Sequence, residues 1–119
     1  MRIKTATDFT TAPGPRHISE GRFSGEQFRK ELLLPKVREA LEKKCELIVD
    51  LDGTSGYGTS WFEESFGGLI RIDKIPLATL DRLPLKIISN EDPDYIKEIR
   101  DDMEEAQMEW DKAEKGNTP

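Results

Sequence analysis

The stretch VDLDGTSGYGTS, residues 49–60, stands between an apolar run and a helix-start pattern, and the order of these features decides the fold. Residues 46–51 hold an apolar run that is long enough for a central strand. Ser60 is followed three residues later by Glu63, a capping-box pattern that predicts a helix beginning at Trp61. The stretch therefore predicts a strand, a glycine-rich loop and a helix in succession, as in an α/β fold.

The chain before this stretch predicts one strand and one helix. Residues 1–9 alternate weakly between apolar and polar and predict an edge strand. Residues 24–43 predict a helix, with Ser24 as N-cap and Gln27 as its capping-box partner. Pro35 has no backbone N–H to donate, so we expect the helix to kink there.

The chain after the stretch predicts two more helices and one more strand. Residues 75–83 lie between prolines and predict a short helix, and residues 85–89 predict a strand. Asp92 as N-cap and Pro93 at the first helical position predict a final helix that extends to about residue 115.

These elements predict a small single-domain α/β fold. Its central sheet, mixed or parallel, is joined by right-handed crossovers, packed with helices and followed by a long acidic C-terminal helix. We expect residues 1–111 to form the domain. Residues 112–119 are expected to form a flexible tail, because Ala113 is the one apolar residue among them.

The composition excludes several kinds of site. A single cysteine allows no internal disulfide, and one cysteine with one histidine cannot make a zinc site. We therefore expect no metal and no cofactor. No apolar run approaches the roughly 20 residues that a membrane span requires, and the N-terminus has no signal core. The sequence thus predicts a cytoplasmic protein without a membrane partner.

The negative charge is concentrated near the C-terminus. The net charge is −6, and residues 91–116 hold eleven Asp or Glu against four Lys or Arg. Such a helix would repel the phosphates of a nucleic acid, and no basic stripe elsewhere offsets it. We therefore expect no nucleic-acid partner.

The opening stretch partly matches two phosphate-handling motifs. Asp50 and Asp52 match the DxDGT loop of haloacid-dehalogenase-type phosphatases, in which the first Asp is the nucleophile and the second the acid/base. Too few strands follow for the remaining residues of such a site. Residues 53–60 also match a P-loop, but Thr59 replaces its lysine. A third reading is that the glycines only form a tight turn.

Three segments carry a resemblance to a known family. FSGEQF at 23–28, LLLP at 32–35 and SWFEESFGGL at 60–69 resemble the bacterial STAS-like domain family of unknown function. The resemblance covers roughly residues 15–90. That family is similar to the STAS domains of anti-sigma factor antagonists, in which a strand, loop and helix present a serine to a partner kinase.

The resemblance implies candidate sites of phosphorylation. Thr59 falls on the phosphorylated serine of the antagonists, and Ser60 falls on the serine beside it. Gly58 and Trp61 fall on an aspartate and a glycine of that motif, so this chain departs from the pattern at both positions.

The predicted binding site lies at the carboxyl ends of the strands, where ligands of parallel sheets gather and a helix N-terminus offers free N–H groups. If the first strand is parallel to the second, loop 10–22 emerges at the same edge. Arg16 and His17 would then face Ser60, Tyr57 and Trp61. The full set of expected partner-binding residues is Arg16, His17, Asp52, Gly56, Tyr57, Gly58, Trp61 and Glu64.

The sequence thus predicts a non-enzymatic regulatory module that binds a protein through residues 53–66. The resemblance implies a histidine-kinase-like ATPase or another regulator as that partner. One alternative is a minimal phosphohydrolase that uses Asp50 and Asp52. Another is a scaffold that acts through its acidic C-terminal helix. The oligomeric state stays open.

Overall fold

The computed structural model describes residues 1–116 and contains a three-stranded parallel sheet. The strands are β1 (Arg2–Lys4), β2 (Leu47–Asp50) and β3 (Leu85–Ile88), in the order β1-β2-β3. This confirms the α/β class and the parallel first strand.

The first strand is shorter than predicted. The chain leaves the sheet after Lys4 and forms a helical turn, α1 (Thr5–Asp8). The Asp8 carboxylate accepts a hydrogen bond from the Lys4 backbone N–H at 2.8 Å, which favours the turn over a longer strand.

Alternate residues of the strands face the core. Ile3, Val49 and Ile87 lie side by side in register, and Leu47 pairs with Leu85. All five belong to the core cluster or pack against it. Both crossovers join neighbouring strands in the same direction, so right-handed connections place their helices on this one face.

The first long helix, α2, spans residues 25–43. It consists of Gly25–Phe28, a π-helical turn at Arg29–Leu33, and Leu34–Lys43. The predicted N-cap is confirmed, because the Ser24 hydroxyl accepts a hydrogen bond from the Gln27 N–H at 2.9 Å. The irregular π turn ends at Leu33, two residues before Pro35.

The second long helix, α3, spans residues 59–71, with Thr59–Phe62, a π turn at Glu63–Gly67, and Gly68–Arg71. The prediction that Ser60 caps it is wrong. Gly58 is the N-cap residue, with extended backbone, and no side chain caps the helix. Glu63, the expected capping-box partner, pairs with Arg16 instead.

Two further helices complete the fold: α4 (Leu77–Arg82) and α5 (Asp94–Gly116). The Asp92 carboxylate accepts a hydrogen bond from the Asp94 N–H at 3.2 Å at the start of α5. This helix packs along α3 and α4 and buries apolar residues from its inner side. The buried residues are Ile99, Met103 and Ala106.

The last helix extends past the predicted domain boundary. Residues 112–116 continue α5, and the side chains of residues 112–115 are exposed. The rest of the predicted tail, residues 117–119, lies outside the described residues. Across residues 1–116, every helix is too short or too polar to cross a bilayer.

Candidate functional site

The loop that follows β2 is tied to the loop that follows β3. The Asp52 carboxylate accepts hydrogen bonds from the Glu91 backbone N–H and the Asn90 side-chain amide, both at 3.0 Å. The Glu91 hydrogen bond in particular holds the pKa of Asp52 below its usual value. Asp52 therefore fixes the loop in place at the carboxyl edge of the sheet.

Tyr57 anchors the same loop from its other end. Its hydroxyl donates to the Leu51 carbonyl at 2.9 Å, and its backbone N–H donates to the Tyr95 hydroxyl at 3.2 Å. Its ring stacks on Phe62 with centroids 5.0 Å apart, and meets Trp61 edge-on. Burial raises the pKa of the Tyr57 phenol. The loop is thus closed by hydrogen bonds and packing at both ends.

Two glycines shape the loop between these anchors. Gly56 has φ of +124°, a conformation that side chains disfavour, and a Cβ there would lie 3.4 Å from the Tyr95 hydroxyl. Gly58 has open space around it and begins α3 as its N-cap. The exposed part of this surface consists of Gly53, Ser55, Gly58 and Thr59.

The two candidate phospho-acceptors differ in exposure. Thr59 is exposed, whereas Ser60 is half-buried. Thr59 also opens onto a groove of about 500 Å³ between α3 and α5. The other residues that line this groove are Glu63, Asp94, Lys97, Glu98, Asp101 and Asp102.

Two of the carboxyl groups that line this acidic groove have raised pKa values. Burial, together with the neighbouring Glu63 and Glu98 carboxylates, raises the pKa of Asp102 to about 6. Burial also raises the pKa of Glu98. Within residues 1–116, one buried oxygen of Asp102 and one of Glu98 have no hydrogen-bond partner.

Sequence reasoning missed the groove, although α5 carries acids at three- and four-residue steps that define one helical face. Oxygens of Glu63, Asp102 and Glu105 lie within 4.8 Å of one another, which is close enough for the three carboxylates to share a cation. This cluster was not foreseen either.

Arg16 and His17 reach α3 one turn further along than expected. Arg16 pairs with Glu63. The His17 Nδ1 lies 3.6 Å from a Glu64 oxygen and 3.7 Å from a Glu26 oxygen. Loop 10–22 therefore does approach α3, but Arg16 and His17 lie against carboxylates in the π turn and in α2 rather than against Ser60, Tyr57 and Trp61.

Two expected partner-binding residues, Trp61 and Glu64, are buried. Trp61 is fully buried, and its indole N–H donates to the Phe23 carbonyl at 3.0 Å. Glu64 is 5% exposed and pairs with Arg29 at 2.9 Å. Both side chains serve the interior of this structure and are not accessible to a partner.

Arg29 is a buried residue that sequence reasoning did not single out. Its guanidinium donates to the Glu64 carboxylate, to the Glu64 carbonyl and to Asp73, at 2.9 to 3.0 Å. Arg29 begins one π turn and Glu64 lies in the other, so this network joins the two irregular turns. Gly68 makes room for it, because a Cβ there would lie 2.5 Å from Arg29 Nε.

Comparison with known proteins identifies the family. A family model described as a STAS-like domain of unknown function (DUF4325) matches residues 24–95, more than half of the chain. The chain belongs to this family, which confirms the resemblance seen in the sequence. No curated protein and no solved structure matches the chain.

Proposed function

We propose that this STAS-like domain is a non-enzymatic, cytoplasmic regulatory module that binds a protein partner through the loop and first helical turn at residues 53–59. The observation that carries this proposal is the combination of an exposed surface with a fixed backbone. Asp52 and Tyr57 hold the loop at its two ends while Ser55 and Thr59 remain exposed. A loop that is ordered before binding loses little conformational entropy when a partner docks.

The partner that the resemblance implies is a histidine-kinase-like ATPase or another regulator. Thr59 is the better candidate for modification, because its side chain is exposed. A phosphate on Thr59 would carry close to two negative charges beside the acidic groove, which holds five carboxylates and Lys97. Repulsion would separate the start of α3 from α5, so we expect modification to switch binding off.

The phosphohydrolase alternative has weaker support. Asp50, its nucleophile, is 5% exposed. The Asp50 carboxylate pairs with Arg2 at 2.9 Å and Lys4 at 3.6 Å and accepts a hydrogen bond from the Asp52 N–H. These contacts give both aspartates structural roles.

Hydrolysis of p-nitrophenyl phosphate with Mg²⁺ separates the alternatives. We expect no activity above background, and no change with Asp50→Asn. Activity that disappears in Asp50→Asn, with the fold intact by circular dichroism, would favour the enzyme.

Site-specific photo-crosslinking tests the proposed surface. A photoreactive amino acid at Ser55 should crosslink to a distinct protein in lysate of the native host. The same group at Glu42, an exposed residue of α2, is the matched control. Identical crosslinks from both positions, or none from Ser55, would contradict binding through the loop.

A further inference from the structure

A cavity of about 260 Å³ lies at the amino edge of the sheet, opposite to the carboxyl edge that carries the loop at 53–59. Its lining residues belong to the last turns of α2 and α4 or follow these helices directly, just before β2 and β3 begin. They are Ala40, Leu41, Lys44, Thr79, Arg82 and Leu83. We call this space the amino-edge cavity.

The floor of the amino-edge cavity is apolar. Ala40 is fully buried, Leu83 is 8% exposed and Leu41 is half-buried. Drug-sized ligands occupy cavities of roughly 300–1,000 Å³ that are lined mainly by apolar side chains. This cavity is slightly smaller, so it suits the apolar body of a small molecule.

The rim of the cavity is positive. Lys44 and Arg82 are exposed, and none of the residues that line the cavity is acidic. Within residues 1–116 neither cation forms an ion pair, although the chain has 24 acids and 18 bases and the neighbouring Lys43 is paired. A nitrogen of the Arg82 guanidinium lies 3.5 Å from the Thr79 hydroxyl, above the same cavity. The two cations are therefore available to an anion.

The helix ends beside the cavity do not need these cations as caps. The Lys44 backbone N–H donates to the carbonyls of Ala40 and Leu41. The Leu83 N–H donates to the Thr79 carbonyl at 3.1 Å. Positive charge is favourable at a helix C-terminus, but these carbonyls already have backbone donors. The cationic side chains thus keep their own donors for a ligand.

We propose that the amino-edge cavity binds a small organic carboxylate. The carboxylate would lie between Lys44 and Arg82, because the ammonium and the guanidinium are the strongest donors to such a group. Its apolar body would rest on the floor of the cavity. A ligand with one charged group and an otherwise apolar body matches a positive rim above an apolar floor. The cavity and the loop at 53–59 lie at opposite edges of the sheet, so this binding is separate from partner binding.

An NMR titration of the ¹⁵N-labelled full chain tests the proposal with three probes. Phenylacetate has an apolar body and a carboxylate, phenylacetamide has the same shape without the charge, and acetate has the charge without the ring. Phenylacetate should shift the amide signals of residues 40–44 and 79–83 saturably, with a Kd of about 1 mM. Phenylacetamide and acetate should each bind about tenfold more weakly, because each lacks one of the two contacts.

Two variants each remove one cation of the cavity. Lys44→Gln and Arg82→Gln should each weaken phenylacetate binding about threefold or more, since each removes a charge from the rim. Arg38→Gln is the matched control, because it removes an exposed cation of α2 that does not line the cavity. This control should bind phenylacetate as the wild type does. Circular dichroism verifies that all three variants fold.

The contradicting results are equally specific. The proposal is overturned if phenylacetate produces no saturable shifts at residues 40–44 and 79–83. Binding of phenylacetamide or acetate as tight as that of phenylacetate also overturns it, because one of the two contacts would then contribute nothing. Equal weakening by Arg38→Gln and by the two cavity variants would show that the anion responds only to the overall charge, which likewise contradicts a site in the cavity.

Discussion

At the residue scale, the structure identifies Asp102 as a carboxyl group that costs stability at neutral pH. Its pKa of about 6 lies above the ordinary 3.8, so the folded state binds a proton more tightly than the unfolded state does. The cost is absent below about pH 4 and fully present above pH 6, which means that this group lowers stability as the pH rises.

Asp102→Asn should therefore raise the melting temperature at pH 7 and leave it nearly unchanged at pH 4. Asp111→Asn, at an exposed position of α5 outside the groove, should not show this pH dependence. Thermal melts of the three proteins at both pH values provide the measurement. A variant that melts lower than wild type at pH 7 would refute the predicted cost.

Arg29 shows the opposite effect, a charge that the fold requires. Arg29→Met leaves the Glu64 carboxylate buried without its cation and should cost about 3 kcal/mol or more of unfolding free energy. Arg100→Met breaks an exposed ion pair with Asp81 and should cost less than about 1 kcal/mol.

Urea unfolding measures both Arg variants. Adding Glu64→Gln to Arg29→Met should recover part of the loss, because the unpaired charge is then removed. Equal losses from Arg29→Met and Arg100→Met would show that the buried network stabilises the fold no more than an exposed ion pair does.

At the element scale, one of the two predicted helix caps is confirmed and the other is wrong. Ser24 does cap α2, but Gly58 takes the N-cap position that Ser60 was expected to occupy. Ser24→Ala should therefore cost about 1 kcal/mol, whereas Ser60→Ala should cost only a few tenths. Chemical denaturation of both variants is the measurement, and an equal loss from the two would contradict the observed caps.

Local signals explain which elements the sequence predicts. Apolar runs located β2 and β3, and the Asp92 and Pro93 pair located the start of α5, because these patterns act within a few residues. The missed features depend on distant partners: Arg16 draws Glu63 away from a capping box, and Arg29 meets Glu64. The acidic groove likewise forms only when α3 and α5 come together, so no single segment reveals it.

At the scale of the whole molecule, α5 stabilises the fold through the buried residues of its inner side. Removal of residues 112–119 should leave a folded protein, because residues 112–115 are exposed and the buried apolar residues of α5 all precede them. Truncation before Ile99 should unfold the protein, since it also removes Met103 and Ala106.

Circular dichroism and thermal melts of the two truncated proteins show whether each one folds. A loss of several degrees in melting temperature after the shorter deletion would show that the end of the helix packs on the domain.

The binding surface itself is tested by adding one charge to it. Thr59→Glu should strongly reduce the crosslinking of the Ser55 photoreactive group to its partner, because the new carboxylate adjoins the acidic groove and enters the contact. Ala78→Glu adds the same charge to an exposed position of α4 and should leave the crosslinking unchanged. Both variants should stay folded by circular dichroism. Undiminished crosslinking in Thr59→Glu would contradict partner binding through residues 53–59.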